Sequence, residues 1–205
     1  MHKISVIIPT FNRFNYLLNT IKSIKEQTYK NIEIIVINDK SSQKDYYDYD
    51  WNLHNIKIIH LKERSKEKFG YPCVGYVRNQ GIKSSSGKYI AFCDDDDIWF
   101  PYKIELQLKY MQKSGCKMSC TEGLFGNGIY DKNKNYKKFN TEHYYEKIKD
   151  KYKNTKFFKN GFSEIWELDF LKIHNCIINS SVLVDKIILL KSGPIPFIRR
   201  GQDYQ

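Results

Sequence analysis

Four consecutive aspartates, Asp94–Asp97, are the residues of this sequence with the clearest chemical meaning. Adjacent carboxylates repel one another, and a divalent cation bound among them would relieve that repulsion. A set of oxygen ligands favours Mg²⁺, Mn²⁺ or Ca²⁺ over zinc, and the spacing of an EF-hand loop is absent. One or two carboxylates leave most of an octahedral metal shell free for the phosphates of a substrate. The run therefore predicts a site for a metal and a diphosphate, and a solvated surface loop is the alternative.

A separate carboxylate, Asp39, follows another apolar segment and could select a nucleobase. A carboxylate can accept the N3–H of uracil or thymine, whereas cytosine lacks that proton. Guanine also offers N–H donors and is therefore not excluded. The alternative interpretation is that Asp39 is a turn residue that precedes Ser41 and Ser42.

The apolar segments before these carboxylates have the length and composition of buried strands. The sequence predicts strands at residues 3–8, 32–37, 56–61 and 89–93, and a fifth at 118–121. Helices are predicted at residues 14–24, at 76–84 and after Pro101. This alternation is typical of an α/β fold with a mostly parallel sheet and helices on both faces. Such sheets bind ligands at the carboxyl ends of their strands, where Asp39 and Asp94–Asp97 are expected.

The composition is ordinary for one globular domain: of 205 residues, 41% are hydrophobic and 28% are charged. It argues against collagen, a disulfide-stabilised miniprotein and a wholly disordered chain. No apolar run approaches the roughly 18 residues that a membrane span requires, and no signal peptide opens the sequence. Five cysteines, an odd number in a chain of this length, indicate a reducing compartment. We therefore expect a cytoplasmic protein without a transmembrane segment, and a membrane surface is the alternative location.

The positive charge is concentrated in one region of the sequence. The net charge is +11, and residues 131–160 contribute ten lysines against four acidic residues. A nucleic-acid-binding protein would spread such charge along a docking face, so no nucleic-acid partner is expected. The region is interpreted either as a solvated surface or as a surface for an anionic acceptor, phosphate or membrane head groups.

Residues 123–165 interrupt the alternation of strands and helices and are rich in Gly, Lys, Asn and Tyr. We expect an irregular segment there, least ordered at 131–160, and renewed order at 164–171 and 177–190. No closing element follows the charged turn near Gln205, so we expect this chain to be the N-terminal part of a longer protein.

Several segments, in this order along the chain, resemble those of a family 2 glycosyltransferase with the GT-A fold. They are Val6–Arg13, Ile24–Thr28, Val36–Asp39, Arg78–Gly81, Ser86–Phe92 and Asp94–Pro101, followed more weakly by Asn179–Val184 and Gly201–Tyr204. The resemblance implies a single GT-A catalytic domain over residues 1–205. Residues 1–112 would form the half that binds the nucleotide sugar and the metal, and residues 113–205 the irregular acceptor-side half.

The resemblance also implies a role for each matching residue in binding the donor. Pro9, Thr10 and Phe11 would line the nucleotide, and the ring of Phe11 could lie on the base. Asp39 would hold the base, and Arg78 would lie near the nucleotide.

The aspartate run matches the DXD motif of the family, with its register ambiguous by one residue. Asp96 and Asp94 would bind Mn²⁺ or Mg²⁺, and Asp95 or Asp94 would reach the ribose or a metal-bound water. Asp203 matches the position of the general base, although Gln202 replaces the acidic residue that usually precedes it.

The resemblance implies a metal-dependent, inverting, hexosyltransferase-like enzyme. Its donor would be a nucleoside-diphosphate sugar, with a UDP-sugar favoured, and its acceptor a hydroxyl group such as that of a glycan. A sugar-phosphate nucleotidyltransferase is one alternative, but such enzymes usually carry a Gly-rich basic first loop that Pro9–Asn12 lacks. The other alternative is a non-catalytic module that binds polyanions through residues 131–160.

Overall fold

The computed structural model describes residues 2–138, 149–154, 165–173 and 177–199. The strands are β1 (Ile4–Thr10), β2 (Ile32–Asn38), β3 (Ile56–His60), β4 (Tyr89–Phe92), β5 (Met118–Ser119), β6 (Leu124–Phe125), β7 (Lys137–Lys138) and β8 (Leu183–Asp185). The labelled helices are α1 (Phe14–Lys25), α2 (Asp45–Asp48), α3 (Ser65–Phe69), α4 (Val74–Ser84), α5 (Lys103–Ser114), α6 (Leu168–Ile173) and α7 (Lys186–Lys191). Residues 149–152 form another helical turn, and a 3₁₀ turn spans Asn179–Ser181.

Six strands form the central sheet, in the order β3-β2-β1-β4-β8-β5. Strands β1 to β4 run parallel to one another, and β8 is antiparallel to both of its neighbours. Strands β6 and β7 form a separate antiparallel pair. The predicted α/β fold with a mostly parallel sheet is therefore confirmed.

The central strand β1 is buried on both faces of the sheet, as is usual for a strand covered by helices on each side. Its side chains alternate between two cores. Val6 packs in the core that contains Leu17 of α1 and Ile104 of α5. Ile7 packs in the opposite core with Val77 of α4. Helices thus cover both faces and hold the carboxyl ends of β1, β2 and β4 along one edge.

Helix α4 packs against the sheet through a glycine, Gly81. A Cβ atom built on Gly81 would lie 2.6 Å from Cγ2 of Ile7 and 2.7 Å from Cδ1 of Ile37. Carbon atoms do not approach so closely without displacing their neighbours. The absence of a side chain at this position therefore sets the distance between α4 and the sheet.

The second half of the chain departs from the sequence predictions in its details. The strand predicted at 118–121 is only Met118–Ser119, and the ordered stretch at 177–190 divides into a 3₁₀ turn, β8 and α7. Strand β8 inserts between β4 and β5, so both halves of the chain contribute to one sheet. The division at residue 112 stays a prediction, and much of 131–160 lies outside the described residues. Among the helices that the structure describes, none is both long enough and apolar enough to cross a bilayer.

Candidate active site

The predicted site residues of the first half converge at the carboxyl edge of the sheet. The backbone N–H of Asp39, just after β2, donates to the carbonyl of Thr10 at the end of β1, at 2.9 Å. The hydroxyl of Thr10 donates to Oδ2 of Asp95, just after β4, at 2.7 Å. Pro9 precedes Thr10 within β1 and is partly exposed. Three separate segments are therefore joined by direct hydrogen bonds.

Of the four aspartates, only Asp95 turns into the protein interior. The side chains of Asp94 and Asp96 are 38% and 43% exposed, whereas that of Asp95 is 8% exposed. Burial raises the pKa of Asp95 to about 6, against the opposing effects of the Thr10 hydroxyl and a nearby arginine. Asp97 is exposed, but partial desolvation of its carboxyl group raises its pKa, against the effect of a hydrogen bond from Ser180. The carboxylates available to a ligand are therefore those of Asp94, Asp96 and Asp97, and the last two line the same cavity.

Two arginines compensate the charge of this acidic run. Arg13 donates from Nη1 to Oδ2 of Asp96 at 2.5 Å and lies 3.4 Å from Oδ1 of Asp95. Arg78 donates from Nη2 to Oδ1 of Asp94 at 2.8 Å. An opposite charge at this distance stabilises the ionised carboxylate. The protein therefore supplies its own counter-ions to the outward-facing aspartates.

Arg78 is itself buried, with 8% of its side chain exposed. Its Nε atom is buried and has no hydrogen-bond partner among the described residues. A buried N–H without an acceptor is unfavourable, and an anionic ligand oxygen would satisfy it. This geometry agrees with the predicted position of Arg78 beside the nucleotide, which itself stays a prediction.

Asp39 is buried, and its carboxylate already accepts two hydrogen bonds from Ser65. Its Oδ1 accepts from the backbone N–H of Ser65 at 2.7 Å, and its Oδ2 accepts from the hydroxyl of Ser65 at 2.6 Å. Burial raises the pKa of Asp39, and these two hydrogen bonds oppose that rise. Each carboxylate oxygen has a second lone pair, so an additional donor can still be accepted.

Arg64, which precedes Ser65, covers one face of the aromatic ring that was predicted to line the nucleotide. The guanidinium carbon of Arg64 lies 3.6 Å from the ring centroid of Phe11. The Nε atom of Arg64 is also buried without a hydrogen-bond partner in the described part of the chain. Phe11, Arg64 and Asp39 therefore form one corner of the site, in which a planar ligand would meet an aromatic face, a cation and a carboxylate.

Sequence reasoning missed Arg13 and Arg64 as site residues. Arg13 belongs to the loop after β1, and its place at a strand end is a signal that could have identified it. Arg64 lies four positions after β3, so it had the same signal in weaker form, because the course of a longer loop is not specified by the sequence.

A cavity of about 400 Å³ extends from the acidic run toward the β6–β7 hairpin. Its lining includes Asp96 and Asp97 of the acidic run, Arg13 and Tyr16, and Leu124 and Phe125 of the hairpin. Small-molecule sites usually occupy about 300–1,000 Å³, so this cavity could hold a sugar.

The residues present fit a cation that arrives together with a diphosphate. Within the described ranges, no group of three or more His, Cys, Asp or Glu side chains could hold a metal ion without further ligands. Mg²⁺ is commonly bound by one or two carboxylates plus substrate phosphates, and Asp94 and Asp96 can provide that number.

Asp203, the predicted general base, lies outside the described residues. The preceding segment is held against α3 and α4. Phe197 packs on Phe69 and Tyr76, with ring centroids 5.4 and 5.8 Å away, and its carbonyl accepts a hydrogen bond from Tyr71. The chain is therefore fixed against α3 and α4 at Phe197.

Comparison with known sequences identifies both a family and individual relatives. The family described as Glycosyl transferase family 2 matches residues 5–183. An uncharacterized glycosyltransferase of Rickettsia bellii (strain RML369-C) is 41% identical over 121 residues, which are 58% of this chain and 16% of that protein. The Escherichia coli UDP-Glc:alpha-D-GlcNAc-diphosphoundecaprenol beta-1,3-glucosyltransferase WfaP is 37% identical over 114 residues, which are 55% of this chain and 42% of WfaP. The matched part of this chain thus spans less than half the length of either relative.

Two solved structures share the fold. S. aureus TarS 1-349 in complex with UDP-GlcNAc has a TM-score of 0.65 at 16% identity, covering 98% of this chain and 51% of that chain. The mannosyltransferase PcManGT from Pyrobaculum calidifontis, in complex with GDP-Man and Mn²⁺, has a TM-score of 0.62 at 13% identity, covering 96% and 48% of the two chains. At such identities the likeness establishes the fold alone.

Proposed function

The chain belongs to glycosyl transferase family 2, and we propose that it transfers a sugar from a UDP-sugar to a hydroxyl group of an acceptor. The observation that carries the proposal is the junction of Thr10, Asp39 and Asp95 at one sheet edge, beside two outward-facing aspartates. The donor named for WfaP and the ligand of TarS support UDP as the nucleotide.

In this proposal the uridine lies in the corner formed by Phe11, Arg64 and Asp39. The carboxylate of Asp39 accepts the N3–H of uracil while Ser65 holds the carboxylate in place. Arg64 must then share the face of Phe11 with the base or leave it, because its guanidinium is in contact with that face. Pro9 and Thr10 form the wall beside the base.

The diphosphate lies against the outward-facing aspartates. Asp94 and Asp96 would hold Mg²⁺ or Mn²⁺, which supplies positive charge to the leaving diphosphate. Arg78 donates its free Nε–H to a phosphate oxygen, and Arg13 can turn from Asp96 toward the same group. Asp95 is buried behind Thr10, where it fixes the loop after β1, although a contact with the ribose stays part of the proposal.

The transfer itself is proposed to invert the configuration at the anomeric carbon. Asp203 removes the proton of the acceptor hydroxyl as that oxygen attacks the face opposite the diphosphate. A new carbon–oxygen bond forms at the anomeric carbon, and the bond to the diphosphate oxygen breaks with its electron pair. The acceptor named for WfaP is a sugar on diphosphoundecaprenol, which supports a lipid-linked glycan as the acceptor class.

Binding of nucleotides measured by calorimetry tests the donor assignment. We expect UDP and UDP-sugars to bind more tightly than CDP or ADP, and only with Mn²⁺ or Mg²⁺ present. Equal binding of all three nucleotides, or binding that is unchanged in EDTA, would contradict the proposal. Formation of a UDP-sugar from a sugar 1-phosphate and UTP would identify a nucleotidyltransferase instead.

A further inference from the structure

The β6–β7 hairpin presents apolar and cationic side chains side by side. Leu124 pairs with Lys138, and Phe125 pairs with Lys137. All four side chains are exposed, including 47% of Leu124 and 61% of Phe125. Directly opposed residues of an antiparallel pair share one face of the ribbon. Each face of this ribbon therefore carries one large apolar side chain and one lysine.

The connection between the two strands is built around one aromatic ring. Tyr136 stacks on Tyr130 with centroids 5.5 Å apart, and its hydroxyl accepts the backbone N–H of Asp131 at 2.7 Å. Its ring also fills the space beside Gly126, where a Cβ atom would lie 2.4 Å from it. These contacts organise the loop and leave Ile129 outward, with 55% of its side chain exposed.

The same hairpin carries a local excess of positive charge. Residues 131–138 contain four lysines and one aspartate, and all four lysines are exposed. Apolar and cationic side chains carried together on both faces of one exposed hairpin match the interfacial zone of an anionic bilayer. There, the apolar groups enter the acyl boundary and the lysines meet phosphate head groups. A soluble polyanion would use the lysines only and leave Leu124, Phe125 and Ile129 in water.

We propose that the β6–β7 hairpin, residues 124–138, is a surface that docks this protein onto an anionic membrane. Leu124 and Phe125 also line the cavity that contains Asp96, so docking would bring that cavity to the lipid surface. This consequence rests on the proposed function and deepens it, because a lipid-linked acceptor would reach the cavity from the bilayer. The docking itself requires no turnover and can be measured separately.

Vesicle flotation tests the surface directly. We expect the chain to float with vesicles of phosphatidylcholine and phosphatidylglycerol, and not with phosphatidylcholine alone. The double variant Leu124→Ser/Phe125→Ser should reduce the bound fraction at least about fivefold. Lys137→Gln/Lys138→Gln should also weaken binding and reduce its salt dependence. The matched control is Leu106→Ser/Tyr110→Ser, which removes exposed apolar side chains from helix α5 and should bind as the wild type does.

A fluorescent reporter distinguishes insertion from simple charge attraction. Phe125→Trp should be quenched by brominated anionic lipids, whereas Leu53→Trp, at a 72% exposed position, should not. The proposal is overturned if the wild type ignores anionic vesicles, if the double serine variant binds them normally, or if position 125 is not quenched. It is also overturned if heparin binds equally well to the wild type and the serine variant and displaces the vesicles, which would identify a polyanion site. UDP binding without vesicles reports on the proposed function independently.

Discussion

Asn79 of helix α4 and Ile195 are joined by two hydrogen bonds between one side chain and one backbone unit. Nδ2 of Asn79 donates to the carbonyl of Ile195 at 2.8 Å, and Oδ1 accepts the backbone N–H of Ile195 at 3.0 Å. Asn79 is buried, and its neighbour Arg78 bonds Asp94. Two consecutive residues of α4 therefore connect the acidic run with the segment that leads toward Asp203.

Replacing Asn79 with alanine should affect turnover more than donor binding. The variant leaves the N–H and carbonyl of Ile195 without partners, which costs about 1–3 kcal/mol of the free energy of unfolding. We expect kcat to fall while the Kd for UDP stays within about twofold of the wild type. Urea denaturation, kinetics and calorimetry provide these three values. Asn19→Ala on α1 is the matched control. If Asn79→Ala lost UDP affinity by the same factor as it lost kcat, the expectation would be contradicted.

Asp96→Asn should abolish the dependence of UDP binding on the metal. Loss of one charged ligand should weaken the binding of UDP by about 1.5–3 kcal/mol, or roughly 10- to 150-fold, in the presence of Mn²⁺. Titration with Mn²⁺ should show no tighter binding of UDP to the variant than titration in EDTA. Asp48→Asn, an exposed change on α2, is the control and should retain the metal response. If UDP binding by Asp96→Asn still responded normally to the metal, another carboxylate would be assigned as the metal ligand.

Asp39→Ala should reduce the preference for uracil. Removing the acceptor of the N3–H should weaken the binding of UDP by about 1–3 kcal/mol and leave the binding of CDP almost unchanged. Competition of UDP and CDP for the same protein measures the difference. Because the variant also frees Ser65, its free energy of unfolding must be measured beside that of Ser65→Ala. If Asp39→Ala weakened CDP as much as UDP, Asp39 would be a structural residue only.

Asp203→Asn should separate chemistry from binding. We expect UDP and Mn²⁺ to bind as in the wild type, while turnover falls by roughly 10²–10⁴ because no general base remains. Single-turnover kinetics with a UDP-sugar and its acceptor provides the measurement. Turnover close to the wild-type rate would assign the base to another carboxylate, with Glu164, Glu167 and Asp169 tested next.

Glu33 should make the fold sensitive to acid. Burial alone would raise its pKa, but hydrogen bonds from Ser5, Ser86 and Lys3 outweigh that effect and lower the pKa to about 2. A carboxyl group whose pKa falls on folding stabilises the protein above its unfolded pKa. That stability is lost as the pH falls from about 4.5 to about 2.

Glu33→Gln measures this contribution. We expect the free energy of unfolding of the wild type to fall by about 1–2 kcal/mol more than that of the variant across that pH range. This figure is reduced for solvent screening, because Glu33 is only partly buried. Urea denaturation at successive pH values gives both curves, with Glu26→Gln at the end of α1 as the control. Parallel curves for wild type and Glu33→Gln would contradict the assignment.

The sequence predicts those parts of the site that follow directly from strand ends. Thr10, Asp39 and Asp94–Asp97 lie where β1, β2 and β4 finish, and apolar strand patterns locate such ends well. Contacts made by loops are different, because they depend on the course of the chain after the strand. Arg13 meets Asp96 across 83 positions of the sequence, and no local pattern encodes that contact.

Neither the register of the aspartates nor the position of β8 in the sheet could be predicted from the sequence alone. Four identical residues give no sequence signal of which side chains turn inward, whereas the hydrogen bond from Thr10 selects Asp95 for the interior. Strand β8 has three residues, too few for a recognisable period, so its insertion beside β4 is decided by packing and pairing. The role of Asp203 still rests on resemblance.

The close contact at Gly81 has a consequence for interpreting genetic variants. Even a single added methyl group there would have to push α4 away from β1 and β2, since Ile7 and Ile37 leave no space for it. Arg78 and Asn79 travel with that helix, so both the acidic run and the segment before Asp203 would lose their supports together. A larger residue at position 81, although it lies in the core, would therefore reduce activity in a screen as a substitution in the catalytic site does. Only a stability measurement would reveal that the damage began at a helix–sheet contact.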